Sequence, residues 1–265
     1  MKKEIKKLIT LGPSSLKKNI IKKISKKTYI FRINLSHVKI NELEKIIKTI
    51  KSATKVPICI DTEGAQIRNG LMKGKSVFFK KNSIIKINRF KKSGDSNNIF
   101  FNPIYVFDKF KKGDIIKIDF DSAAIKILKR KNVDTWIAKV ISDGHVGSNK
   151  GVDLSRKITL DSISDKDKLA ISKARKYGIK FYSFSFADSK NSVLKLRKLI
   201  GKKSILISKI ESKKGLKNLK EILSVSNSII IDRGDLSREI PIYRIPTIQR
   251  QIIKTAYKQK KPVYV

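Results

Sequence analysis

One cysteine in 265 residues, Cys59, is too few for an intrachain disulfide. That excludes a disulfide-stapled fold and suits a reducing cytoplasm. Cys59 sits in the apolar run Val56-Pro57-Ile58-Cys59-Ile60 and reads as core filling rather than a nucleophile. Long apolar runs are missing too. The basic start Met1-Lys2-Lys3-Glu4 is followed by no stretch of leader length, and nothing reaches the length of a membrane span. No Walker-type phosphate loop occurs. Acidic residues are scarce: Asp and Glu number 22 against 62 Lys and Arg, a formal net charge of +40. Such an excess invites a nucleic-acid reading, since clustered cations release counterions from phosphate backbones. The pattern argues against it. Most of the cations are Lys, the poorer fork for bases and phosphates. They are spread from end to end and accompany heavy use of Ile and Asn, the bias of an AT-rich genome. They solvate helix faces, and their summed field attracts anionic small molecules.

What is present is an ordinary apolar fraction, 40%, enough for one large domain or two smaller ones. The first part alternates short apolar runs with amphipathic stretches. Residues 5–11, 29–34 and 56–61 read as strands; 16–25 and 41–50 read as helices, the second with Leu43, Ile46, Ile47 and Ile50 on one face. This alternation predicts parallel βαβ units. The rhythm then changes. From 70 to 155 the sequence offers short β-like runs parted by turns such as Ser93-Gly94-Asp95 and Lys112-Gly113-Asp114, with no convincing helix. The α/β rhythm resumes with helices at 164–176, 191–199, 213–223 and 246–258 and strands at 179–184, 204–209, 228–232 and 262–265. Ser164 followed by Asp167 forms a helix-capping pair.

The expected architecture is an α/β fold: a TIM (β/α)8-type barrel, incomplete at seven strands, with an inserted small all-β barrel domain. Residues 1–69 and 156–265 form the two parts of the barrel and 70–155 the insert. Because the last residues begin a strand with no helix to cover it, the chain is expected to be an incomplete piece of a longer protein.

In a parallel barrel the chemistry gathers at the C-terminal ends of the strands. Those ends read Arg32-Ile33-Asn34-Leu35-Ser36-His37, Asp61-Thr62-Glu63-Gly64, Lys209-Ile210-Glu211 and Asp232-Arg233-Gly234-Asp235. Arg32 and Lys209 supply positive charge for a phosphoryl group. Glu211 and Asp235 supply the hard carboxylate oxygens that Mg²⁺ takes alongside substrate oxygens and water. Asn34, Ser36, Asp61 and Thr62 offer further oxygens suited to a second cation. Phosphoryl transfer needs positioning and charge neutralisation above all. Any one of these residues alone reads as a solvated strand end; four sets in register do not.

These segments resemble the pyruvate kinase family. Thr10-Leu11-Gly12-Pro13-Ser14-Ser15 resembles its T-x-G-P-A-S, residues 32–37 its R-x-N-F-S-H, and residues 61–68 its D-T-K-G-P-E-I-R. Ser208-Lys209-Ile210-Glu211 matches S-K-I-E, and Arg233-Gly234-Asp235-Leu236 matches R-G-D-L, followed by Glu239-Ile240-Pro241. Residues 147–152 resemble the end of the family's inserted lid domain. The resemblance implies phosphoryl transfer from phosphoenolpyruvate to ADP, giving pyruvate and ATP, in a cytoplasmic glycolytic enzyme whose intact form is a homo-oligomer. It implies that Arg32 holds the phosphoryl group and Lys209 stabilises its charge. Glu211 and Asp235 would bind Mg²⁺ or Mn²⁺, and the backbone amides of Gly234 and Asp235 would receive the substrate carboxylate. Asn34, Ser36, Asp61 and Thr62 would bind K⁺, and His37, Arg68 and Lys150 would approach the nucleotide.

Several positions depart from the family. Glu63 stands for the usual Lys, Ala65 for Pro, Gln66 for a Glu linked with potassium dependence, and Asp232 for a small residue. Phe120 stands where an acidic lid residue is expected and Asp188 near a usual Arg. The family's eighth strand, the catalytic Thr after strand seven and the C-terminal regulatory domain have no counterpart in these residues. Two rival readings follow: a divergent Mg²⁺-dependent relative that binds phosphoenolpyruvate or pyruvate in a lyase or sensor role, and a basic nucleic-acid-binding protein.

Overall fold

The structure, a computed structural model, describes residues 5–90 and 93–265; the basic start Met1 to Glu4 lies outside them. The chain divides into two compact units, one of residues 66–160 and one built from the segments on either side.

The flanking segments build a curled parallel sheet. Its strands are β1 (Leu8–Thr10), β2 (Ile30–Asn34), β3 (Ile58–Asp61), β4 (Phe181–Phe184), β5 (Ile205–Ile210), β6 (Ser228–Ile231) and β7 (Val263–Tyr264), hydrogen-bonded in that order. Every neighbouring pair is parallel, with Arg32 beside Cys59, Asn34 beside Asp61, Ser183 beside Asp61 and Lys209 beside Ile230. Such strands read as continuous apolar runs because both faces are covered, and all four residues of β3 are buried.

The faces divide by the two-residue period of a strand. Phe31, Ile33, Ile58, Ile60, Tyr182, Phe184, Leu206, Ile210, Ile229 and Ile231 join the large core that includes the helices. Ile30, Cys59, Ile207 and Ile230 form a separate small cluster with Leu8, Phe181, Ile205 and Tyr264 packed on it. That second set is the inside of the curl. One or two steps of alternation further along, the same face carries Arg32, Asp61, Ser183, Lys209 and Glu211. The apolar floor thus gives way to charge at one mouth.

The helices are α1 (Lys18–Ser25), α2 (Leu43–Ala53), α3 (Asp165–Lys176), α4 (Lys190–Ile200), α5 (Lys213–Lys217), α6 (Leu219–Val225), α7 (Arg233–Leu236) and α8 (Ile245–Lys258). Helix α3 opens on the capping box expected from Ser164 and Asp167, each side chain accepting from the other's amide at 3.1 Å. Buried Asp167 does more, accepting from the amides of Glu63 at 2.7 Å and Gly64 at 3.1 Å. Gly64 itself has φ +73°, and a Cβ there would lie 2.8 Å from the Ser185 carbonyl oxygen, so the loop after β3 closes on the end of β4 only with glycine. The single helix expected over 213–223 is two. The break falls at Asn218, whose side-chain amide donates to the Asp188 carbonyl at 2.7 Å.

Residues 66–160 are antiparallel for the most part. Eight strands form one sheet that is nearly a closed barrel, and Ser76–Phe79 pairs with Gly144–Gly147 in a second. Alternation is plain where one face meets solvent: Ile85 and Ile87 are buried while Ile84 and Lys86 are exposed. Their core includes Ile116, Ile118, Ile125, Ile127 and Trp136, whose indole donates to the Phe107 carbonyl at 3.2 Å. The sequence reading expects no helix here, but Ile104–Lys109 makes a 3₁₀ helix that buries Val106 and Phe107. Six residues are too few for a helical period to register.

Candidate active site

At the charged mouth, Lys209 is the centre. Its Nζ lies 2.7 Å from Glu211 Oε1, 3.3 Å from Asp232 Oδ2 and 3.6 Å from Asp61 Oδ2, and donates to Ser185 Oγ at 3.2 Å. Burial alone would depress the ammonium; Asp61, Glu211 and Asp232 together override it and raise its pKa, so the group is charged. Arg32 comes from β2. Its Nε donates to Thr10 Oγ1 at 2.7 Å and its Nη1 faces Asp61 Oδ2 at 3.4 Å. The sequence therefore brings both expected phosphoryl-facing cations, Arg32 and Lys209, to one carboxylate.

Asp61 is held from the neighbouring strand. Ser183 donates to its Oδ1 at 2.6 Å and Ser185 at 3.4 Å. Thr62 Oγ1 accepts the Ser185 amide at 2.9 Å. Asn34 Oδ1 accepts the Ser36 amide at 2.9 Å, closing the short 3₁₀ turn Leu35–His37. Asp61, Thr62 and Ser36 are buried; His37, at the end of the turn, is exposed.

Glu211 is fully buried, and burial pushes its carboxyl up to about 8, against the pull of Lys209 and with Asp232 and Asp235 adding to the push. Glu211 Oε1 and Asp61 Oδ2 are buried oxygens that take no well-directed hydrogen bond among the described residues; Lys209 and Arg32 face them by charge alone. Carboxylate oxygens of Glu211, Asp232 and Asp235 lie within 4.8 Å of one another. A buried Glu211 with one under-bonded oxygen, set beside the half-buried carboxylates of Asp232 and Asp235, fits a divalent cation, which Glu211 and Asp235 would hold through hard oxygens.

Asp232 is the acid that the sequence reading left out of the site. It caps α7, its Oδ1 lying 3.4 Å from the Asp235 amide, one of the two amides assigned by resemblance to a substrate carboxylate. Burial pushes Asp232 upward, but Lys209 and the Asp235 amide outweigh it and hold the carboxyl below its usual range. The signal was available: Asp232 stands two residues past Ile230, on the same inner face. Asp235 is paired with Arg238 Nε, two residues past the end of α7, at 3.1 Å.

The other departures have partners too. Glu63 lies 3.5 Å from Lys166, whose ammonium also donates to the Leu35 carbonyl at 2.6 Å. Asp188 pairs with Lys214 at 2.6 Å. In the 66–160 unit, Arg68 Nη1 donates to the Asn149 carbonyl at 3.0 Å. Lys150 meets Asp119 at 2.8 Å, an acid one residue before Phe120.

Comparison with known proteins matches residues 2–265 to the family model for the barrel domain of pyruvate kinase. A pyruvate kinase of Thermotoga maritima is 33% identical over 267 residues, covering 97% of this chain and 57% of its own length. One from Thermococcus litoralis is 31% identical, with 97% and 56% covered, and one from Staphylococcus saprophyticus 30% identical, with 96% and 45% covered. The chain thus spans about half the length of the curated relatives it matches.

Proposed function

The chain belongs to the pyruvate kinase family, and from that we propose that it carries the phosphoryl- and cation-handling part of an enzyme that moves a phosphoryl group from phosphoenolpyruvate to ADP, yielding pyruvate and ATP. The observation that supports this most directly is Lys209, a buried ammonium set 2.7 Å from Glu211 and facing the carboxylate that also faces Arg32. Arg32 binds the phosphoryl group, oriented by Thr10 and Asp61. Lys209 stabilises the charge on the phosphoryl oxygens as the group moves, and Ser185 with the three acids keeps the ammonium aimed and protonated. Preorganised charge of this kind needs little rearrangement during reaction. Glu211 and Asp235 would hold Mg²⁺ or Mn²⁺, which when bound neutralises developing negative charge on substrate oxygens. Asn34, Ser36, Asp61 and Thr62 are the oxygens assigned to K⁺, and His37, Arg68 and Lys150 the residues assigned to the nucleotide. No helix among the described residues is long and apolar enough to cross a membrane, and a cytoplasmic site of action goes with this reading.

The test is pyruvate formation from phosphoenolpyruvate and ADP by the protein that bears this chain. Lys209→Met is expected to cost on the order of 10²–10³-fold in kcat; a variant within a factor of three of the wild type would overturn the assignment. A second reading, a relative that binds phosphoenolpyruvate or pyruvate without kinase turnover, is favoured by the added acid Asp232. Binding without transfer in the same assay would decide for it.

A further inference from the structure

Asp232 carries more than a helix cap. Three carboxylates, Asp61, Glu211 and Asp232, face two cations, Arg32 and Lys209, at the inner mouth of the sheet; Asp235 has its own counter-charge in Arg238. Asp232 adds a further acidic group to that mouth, and its carboxylate lies within 4.8 Å of oxygens from both Glu211 and Asp235. Glu211 Oε1 is fully buried, takes no well-directed hydrogen bond among the described residues and faces the Lys209 ammonium at 2.7 Å. Asp232 also sits on the Asp235 amide, so an incoming carboxylate meets an acid there.

We propose that Asp232 is a third carboxylate donor of the divalent-cation site, and that the same charge weakens the neighbouring seat for the phosphoryl-bearing anion. The inference rests on the reading that Glu211 and Asp235 hold the cation. Its consequence is an order of events. The chain takes up its divalent cation without help from substrate, and anionic substrate then binds to the cation-loaded site. Three carboxylates from two neighbouring strand ends supply donors that a two-carboxylate site must borrow from substrate and water.

Asp232→Asn separates the two effects with little change of shape, since asparagine keeps the cap acceptor for the Asp235 amide. Calorimetric titration of Mn²⁺ into the chain, without substrate, is expected to show about a tenfold or greater loss of affinity relative to wild type. Titration of phosphoenolpyruvate at saturating Mn²⁺ is expected to show tighter binding, about tenfold, as the opposing charge is removed. Thermal unfolding run alongside is expected to stay within a few degrees of wild type. Glu211→Gln serves as the control for the underlying reading and is expected to lose Mn²⁺ binding. Unchanged Mn²⁺ affinity in Asp232→Asn with loss in Glu211→Gln would overturn the proposal and leave the two-carboxylate site standing. Unchanged Mn²⁺ affinity in both variants would overturn both. Weaker binding of both Mn²⁺ and phosphoenolpyruvate would show that Asp232 only holds α7 in place, and would also overturn the proposal.

Discussion

Replacing Lys209 by Met removes one charge and keeps most of the side chain's volume. The ammonium stands 2.7 Å from Glu211, 3.3 Å from Asp232 and 3.6 Å from Asp61. At an effective dielectric constant of about 20, each contact is a gross attraction of about 5 or 6 kcal/mol. Withdrawing the ions from water costs several kcal/mol apiece and offsets most of that gain. What decides the outcome is what the substitution leaves behind. Glu211 and Asp61 are buried, and each would lose a counter-charge. Breaking a buried pair from one side costs about 3–5 kcal/mol. For a domain of this size about 4 kcal/mol lowers the melting temperature by about 8–16 °C. Differential scanning calorimetry of wild type and variant reads this directly. The double variant Lys209→Met/Glu211→Gln carries one stranded charge fewer and is expected to recover part of the loss, a coupling of neighbours that a double-mutant cycle isolates. A shift of less than about 3 °C, or a double variant no more stable than the single one, would refute the view of Lys209 as the keystone of a buried charge cluster.

Three further outcomes follow from the same structure. Glu211→Gln or Asp235→Asn should abolish Mg²⁺-dependent phosphoenolpyruvate binding in calorimetry; unchanged Mg²⁺ affinity in both would remove them from the cation site. Burial pushes the Cys59 thiol up to about 12 from 9.0, with Asp61 adding to the rise, so the native protein should resist thiol reagents until it unfolds. The neutral thiol's contribution to stability is complete below pH 9 and drains away between 9 and about 12, a loss that Cys59→Ala should reduce; rapid native labelling at pH about 8 would contradict the burial. Gln66 is neutral where the family carries Glu, so potassium dependence should be weakened; a strict requirement for potassium, with little turnover in sodium, would count against this.

Strand ends were the most legible part of the sequence, because a buried parallel strand is apolar until it leaves the sheet. Arg32, Asp61, Lys209 and Glu211 each follow such a run, and all four meet in space. Lys209 and Glu211, two apart, could also be given a shared face from the period alone. The partnership of Asp61 with Ser183 and Ser185 was not legible, since register between β3 and β4 is a tertiary fact with about a hundred residues between them. Asp232 was visible as a departure and, two residues past Ile230, as a residue of the inner face; its contact with Lys209 depends on the register of β6 against β5. The division between α5 and α6 escaped because Asn218 breaks no hydrophobic period; it is pulled by the Asp188 carbonyl, which lies far off in sequence. Phe120 drew notice as a missing acid, and the acid that pairs with Lys150 was the residue before it.

The Asp167 carboxylate has a consequence for how this chain is put together. It binds the amides of Glu63 and Gly64, just before the chain departs for residues 66–160, and that of Ser164, just after it comes back. One side chain therefore fastens the exit to the return. The parallel sheet does not depend on the excursion to bring β3 and α3 side by side. Chain length added or lost between those points changes the closure entropy only logarithmically. The junction behaves as a socket: whatever polypeptide is plugged in between 65 and 161 can vary in size and design while the charged mouth keeps its shape.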